Sequence, residues 1–383
     1  MTPNANTLDK ELLKVSLSPI ARLLDDPHVT DIMIYGSQQV YVRSRNGSFE
    51  HAEVSWLSDE DLMTAAKTIG RQMARRLDQR EPILDARLPD KSRVNVIIEP
   101  CYNRGACIAI RKFPVDHFTW SDLVGFGSID STGVRIIEAL VRLGKNTLIS
   151  GGTGSGKTTL LNCLCSLIRD TDIVVTVEDA REISLHNELW VSLETKRALD
   201  DEDREVTLRD LIRTSLRMNP RWIIVGEVRG AEALDLVRAF NTGHYGAGTI
   251  HANSAYDSLL ALETLILQSG LDVPARAIKE MVARAIQIVI QVSQLPDHSR
   301  KVMEVAEILG LDYERSPGFP TYKLHCLYRF EFSHYDPNHK AHGDFVIQQS
   351  PSWVGDLKMV PDYEVPDFWQ SDSGHTASES TLR

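Results

Sequence analysis

The sequence predicts an α/β chain of two domains: a small mixed α/β unit over 15–113, a flexible linker over 114–130, and a larger domain over 131–312 built on a parallel sheet with crossover helices. Three observations predict it. The chain's 383 residues suggest two cores rather than one. From Thr132 onward, short apolar runs alternate with helix-periodic stretches in a strand–helix–strand rhythm. A glycine-rich loop, Gly151 to Gly156, stands between one such strand and one such helix.

The elements follow in order. A tail over 1–14 precedes β-rich runs at 31–35 and 39–43, which flank the turn Gly36-Ser37. Ser58 followed by Asp59-Glu60-Asp61 places a hydroxyl cap and three acids at the positive end of a helix dipole, so a helix is expected from there through Arg76. At 92–98, Val94, Val96 and Ile98 alternate with Arg93 and Asn95, the period of a half-buried strand, and a second strand follows at 106–111. Past the linker, strands are expected at 146–150, 172–178, 189–193, 222–226, 247–251 and 286–292. Helices are expected between them, for instance at 158–168, 208–218, 231–241 and 254–268. A β-rich extension over 313–370 carries strands at 326–332 and 344–348, and the Ser- and Thr-rich residues 371–383 read as a disordered tail.

Composition narrows the class of function. Lys+Arg 42 against Asp+Glu 53 gives a net charge of −11, which argues against a chain that coats nucleic acid or anionic membrane, although it leaves room for a local basic groove. No run of eighteen apolar residues exists to make a transmembrane helix, and the first residues lack the apolar core of a secretory signal. Five scattered cysteines make no disulfide framework, so a reduced, cytoplasmic location is expected.

The sharpest chemical signal is Gly151, Gly152, Thr153, Gly154, Ser155, Gly156, Lys157, Thr158, with Thr159 next in the helix. It fits G-x-x-x-x-G-K-[ST], in which backbone N–H groups cradle phosphates, Lys157 supplies a point charge, and the Thr158 hydroxyl serves Mg²⁺. A chain of this length matches by chance roughly one time in a hundred. A nucleoside triphosphate is the expected ligand. A second strand ends in Glu178-Asp179; a carboxylate there either polarises an attacking water, holds the metal through water, or caps the following segment. A third ends in Gly226-Glu227-Val228-Arg229, where Arg229 either pairs with Glu227 or points at phosphate.

His244 and His251 flank a short Gly-rich strand; their spacing is poor for zinc, leaving a γ-phosphate sensor or a satisfied loop histidine. Arg93 and Arg111 fall where apolar alternation fails, as solvated arginines or as groups that reach in to neutralise phosphate. Arg209, Arg213 and Arg217 form an i, i+4, i+8 stripe that reads equally as a subunit contact or an exposed face. Cys326, His334, His339 and His342 match no metal template.

With these residues assembled, the chain resembles the secretion-ATPase superfamily of type II and type IV secretion and type IV pilus machines. The resemblance runs from about Pro19 to Gly310 and rests on four motifs in order: a Walker A at 151–158, an acidic box at Glu178-Asp179, a Walker B at 226–229, and a histidine box at 243–251. Residues 85–90, 92–95 and 110–113 look most like the tight-adherence (Flp/Tad) pilus branch, with type IV secretion and conjugation ATPases as near neighbours. Lys91, Arg221, Tyr245 and Ala247 depart from that branch's pattern, and the tetracysteine zinc motif of many type II enzymes is absent.

The resemblance implies a RecA-like ATPase domain behind a PAS-like N-terminal domain. It also implies a cytoplasmic hexameric ring docked on inner-membrane platform proteins, using ATP and Mg²⁺. It implies that Glu178 activates water, that Thr158 and Glu227 serve the metal, that Arg93 and Arg111 contact the terminal phosphates, and that His251 couples nucleotide state to domain motion. A nucleic-acid motor of similar core is the alternative, disfavoured by the acidic charge and the lack of a basic-aromatic track.

Overall fold

The protein is described from a computed structural model that covers residues 12–44, 49–73, 75–112, 118–196, 198, 203–270, 273–314, 318–361 and 363–370. The chain divides into two compact units, one before residue 117 and one from it on.

The first unit opens with helical residues 12–16 (α1) and α2 (Ala21–Asp25). Six strands follow: β1 (Val29–Tyr35), β2 (Val40–Ser44), β3 (Phe49–His51), β4 (Ile83–Arg87), β5 (Arg93–Ile98) and β6 (Ala106–Arg111). They form one sheet in the order β3-β2-β1-β6-β5-β4. Between β3 and β4, α3 (Asp59–Gln72) is capped as expected, the Ser58 hydroxyl accepting from Asp61 N–H. Leu62, Ala65, Ala66 and Ile69 of α3 are buried together with Val94, Val96, Ile108 and Ile110, which accounts for the period-2 pattern of β5 and β6. The helix stops at Gln72, short of Arg76, because the chain turns back on Gly70: its carbonyl accepts from the amides of both Met73 and Arg75. A Cβ on Gly70 would stand 3.0 Å from the Arg75 carbonyl.

The second unit begins with α4 (Trp120–Gly125) and α5 (Ser131–Arg142). The first of these lies inside the stretch expected to be linker. It is one and a half turns long, too short for periodicity to reveal, and its signature is a capping box between Thr119 and Asp122. The main run is β7 (Thr147–Gly151), α6 (Lys157–Cys165), β8 (Val174–Glu178), β9 (Trp190–Glu194), α7 (Leu208–Ser215), β10 (Trp222–Val225), α8 (Glu232–Asn241), β11 (Tyr245–Ile250), α9 (Ala255–Gln268), α10 (Ala275–Ala285) and β12 (Ile288–Gln294). Three long antiparallel strands complete it: β13 (Arg300–Asp312), β14 (Thr321–Tyr335) and β15 (Ala341–Ile347).

All nine strands form one sheet, ordered β15-β14-β13-β12-β7-β11-β10-β8-β9. The six strands from β12 to β9 pair in parallel, and β7, β8 and β10 within them are buried at every residue, whereas the edge strand β9 is only partly covered. Leu148, Val175, Ile223 and Val289 face the layer of α8, α9 and α10; Ile149, Val174, Ile224 and Ile290 face the layer of α5 and α6. The C-terminal strands pair as consecutive antiparallel neighbours, with β14 and β15 forming a hairpin, and through β13 they continue this sheet. The 3₁₀ segment Val354–Met359 and α11 (Asp367–Gln370) then return to the α5–α6 face, where Trp353, Leu357 and Trp369 are buried. The tail over 371–383 lies outside the described residues.

Candidate nucleotide site

β7 is the middle strand of the nine, and the loop after it opens at the C-terminal edge of the parallel strands, where such sheets bind ligands. Gly151 ends the strand, and a Cβ there would stand 2.4 Å from the Val292 carbonyl on β12. Gly156 caps α6 in the left-handed region at φ 96°, and Ser155 Oγ–H donates to the Gly152 carbonyl at 2.8 Å. Lys157 is the first residue of α6 and is buried; its Nζ donates to the carbonyls of Gly151 and Gly152, each at 2.9 Å. Burial pulls its ammonium below the ordinary lysine range, with Glu227 opposing and Arg229 adding to that effect. Thr158 and Thr159 follow in the same half-buried turn, while Gly152, Thr153 and Gly154 are exposed.

Two neighbouring parallel strands supply the charges. Lys157 Nζ lies 3.4 Å from His251 Nδ1, just past the end of β11. His251 Nε2 lies 2.5 Å from Glu227 Oε1, just past the end of β10. Apart from this close approach of His251, Glu227 Oε1 is buried with no hydrogen-bond donor. Arg229 donates to Glu227 Oε2 at 2.5 Å. The pairing settles one alternative: Arg229 is the partner of Glu227. Burial alone would raise the Glu227 carboxyl, but the Arg229 bond and the charges of Arg229, His251 and Lys157 hold it below the usual value.

Glu178 ends β8 beside Gly226 and is buried to 2 % exposure. Its Oε1 accepts from the backbone N–H groups of Glu182 and Ile183 at 2.9 and 3.0 Å, and its Oε2 is buried with no hydrogen-bond partner. Desolvation pushes this carboxyl up to about 7, against the pull of the two amides. Asp179 is exposed, and His244 sits at the far end of β11, its Nδ1 3.0 Å from the Pro220 carbonyl. Lys157, Glu227 and His251 therefore converge, Glu178 is seated next to them, and His244 stands apart.

Arg93 and Arg111 belong to the first unit. They are register partners on β5 and β6 and both are exposed. Arg209 and Arg213 are not a free face: both bind Asp235, which is 6 % exposed on α8, at 2.7 and 2.9 Å. The spacing showed the stripe, but the acid that engages it lies more than twenty residues on. Arg300, at the start of β13, donates from Nε to the Gly154 carbonyl at 2.8 Å, a contact with the glycine-rich loop that no motif announces.

The residues present fit a magnesium ion in their chemistry. The Thr158 hydroxyl and the Glu227 carboxylate are hard oxygen donors, and one Glu227 oxygen is buried without a donor. Among the described residues no cluster of three or more His, Cys, Asp or Glu side chains could hold a metal by itself. No helix among them is long and apolar enough to cross a membrane.

A glycine-rich loop after the middle strand of a mostly parallel sheet, with carboxylates at the same edge just past β10 and at the end of β8, is the arrangement by which α/β proteins place a phosphate-binding site at the ends of their strands. The model of the type II/IV secretion system protein family matches residues 14–322, and the chain belongs to that family. A Mycobacterium tuberculosis protein provisionally named conjugal transfer protein Rv3659c is 31% identical over 310 residues, 79% of this chain and 87% of the relative. The type IV secretion system protein VirB11 of Bartonella henselae is 28% identical over 346 residues, 80% of this chain and 96% of that one. The solved structure of the Legionella pneumophila ATPase DotB shares the fold, with a TM-score of 0.53 at 20% identity over 79% of this chain and 80% of that one.

Proposed function

We propose that the chain is an ATP-hydrolysing motor of a secretion or pilus-assembly machine, acting as a hexameric ring at the cytoplasmic face of the inner membrane through platform proteins there. One observation carries the reading: Lys157, His251, Glu227 and Arg229 converge on the mouth of the glycine-rich loop. Triphosphate oxygens replace the Gly151 and Gly152 carbonyls as partners of Lys157 Nζ, and the loop amides bind the remaining charge. Thr158 and Glu227 would hold Mg²⁺, which would supply charge neutralisation at the phosphate oxygens when bound. Glu178, with a carboxyl that titrates near neutrality, is suited to orient and deprotonate the attacking water, as a base matched to working pH must be. His251, between Lys157 and Glu227, changes partners when phosphate arrives. Arg93 and Arg111 of the first unit neutralise the terminal phosphate.

The residues over 85–113 support a tight-adherence pilus as the machine. A second reading, a type IV secretion or conjugation motor, is supported by the similarity to VirB11 and to the mycobacterial protein, whose names place them in type IV secretion and conjugal transfer. Light scattering on Glu178→Gln with ATP and Mg²⁺ tests the assembly. A species of six times the monomer mass is expected, with turnover lost; a monomer or dimer contradicts the ring, and an active Glu178→Gln sinks the assignment of the base.

A further inference from the structure

The phosphate loop is held from outside by a residue of the C-terminal strands. Arg300 Nε–H donates to the Gly154 carbonyl at 2.8 Å, and the Arg300 side chain passes so close to α6 that a Cβ on Gly156 would stand 3.3 Å from its Cδ. In a trans peptide the C=O and the next N–H point to opposite sides, so a donor that holds the Gly154 carbonyl outward turns the Ser155 N–H inward. In this state that N–H makes only a long 3.4 Å contact with the Gly152 carbonyl, which also receives Ser155 Oγ and Lys157 Nζ. An incoming phosphate oxygen therefore displaces a weak partner, and the loop already has the orientation it needs.

Arg300 is itself fixed. The turn over 295–299 closes with the Leu295 N–H donating to the Ser299 carbonyl at 2.8 Å, and Asp297 Oδ1 accepts from the N–H and Oγ–H of Ser299. Asp297 Oδ2 accepts from the Ala341 N–H at 2.8 Å, tying the turn to the start of β15. On the other side of Arg300, Lys301 Nζ donates to the Gly127 carbonyl at 2.6 Å and Val302 N–H to the Ser128 carbonyl at 2.8 Å. A path thus runs from β15 by hydrogen bonds through Asp297 to Ser299, along the backbone to Arg300, and by a further hydrogen bond to the phosphate loop.

We propose that Arg300 is a positioning residue that sets the nucleotide affinity of the phosphate loop through the Gly154 carbonyl, and that the 295–299 turn links this affinity to the β14–β15 hairpin. This rests on the nucleotide reading above. The test is a titration of the full-length protein with Mg²⁺ and a fluorescent ADP, alongside steady-state kinetics with ATP. Losing one charge-assisted hydrogen bond that preorganises the loop, Arg300→Ala is expected to raise Kd and KM about tenfold while kcat at saturation stays within about twofold. Arg300→Lys, which keeps a donor, is expected to recover most of the affinity. Asp297→Ala, which leaves Arg300 in place and frees the turn from Ala341, is expected to weaken ADP about threefold.

An unchanged Kd in Arg300→Ala overturns the proposal. So does a loss of kcat without a change in Kd, or a lysine variant as weak as the alanine. Wild-type protein that binds no ADP would instead overturn the nucleotide reading and this inference with it.

Discussion

Replacing Glu178 by Gln should make the protein more stable at alkaline pH and leave it nearly unchanged in mild acid. The carboxyl is 2 % exposed, and burial raises it from 4.5 to about 7. Its folded value therefore lies above its unfolded value. The folded state holds the proton that the unfolded state releases, and stability falls as pH rises from about 4.5 through about 7. At roughly 1.4 kcal/mol per pH unit, the ionised group weighs against folding by about 3 kcal/mol at pH 8. Glutamine keeps an acceptor for the Glu182 and Ile183 amides and never ionises, so it escapes this loss. For a unit of this size about 3 kcal/mol corresponds to roughly 6–12 °C in Tm. The assay is thermal melting of wild type and Glu178→Gln without nucleotide from pH 5 to pH 8, following the transition of the larger unit. The gap should open with rising pH in favour of glutamine and mostly close at pH 5. Parallel curves, or a wild type more stable at pH 8, would refute the argument that burial sets this carboxyl.

Other expectations follow from single contacts. Gly226→Ala would put a Cβ 2.9 Å from Glu178 Cγ, so calorimetry should show a loss of about 1–3 kcal/mol from overpacking. Asp235→Ala leaves Arg209 and Arg213 without their shared acceptor; because both arginines reach solvent, urea titration should show a loss of only about 1–2 kcal/mol. Tyr328→Phe removes the 2.8 Å bond to Asp130, the N-cap of α5, at a cost of about 1 kcal/mol by the same measurement.

Much of this was legible because local chemistry and long-range placement agree. Gly151 to Thr158 carries its own geometry, and the apolar run before it and the helix-periodic run after it give the strand and the helix that hold it. The apolar runs 174–177 and 222–225 are fully buried strands because parallel pairing leaves them no wet face. What escaped depends on partners far along the chain. Arg300 reaches a loop nearly 150 residues away, Asp235 collects two arginines from another helix, and Trp353 and Trp369 enter a core begun by α5. The β-rich extension past 312 could be read as strands, but not as part of the main sheet, because alternation within a strand carries no sign of which edge it joins. The short helix at Trp120–Gly125 was hidden among aromatic and glycine residues that resemble a linker.

Phosphate release from ATP in the presence of Mg²⁺, measured side by side on wild type and Lys157→Ala, tests the central claim most directly. Steady turnover by the wild type is expected, abolished by chelating the metal, with none by the variant, whose loop keeps its backbone but loses the ammonium now held by the Gly151 and Gly152 carbonyls. Equal rates in the two proteins would mean that the glycine-rich loop is not where hydrolysis occurs.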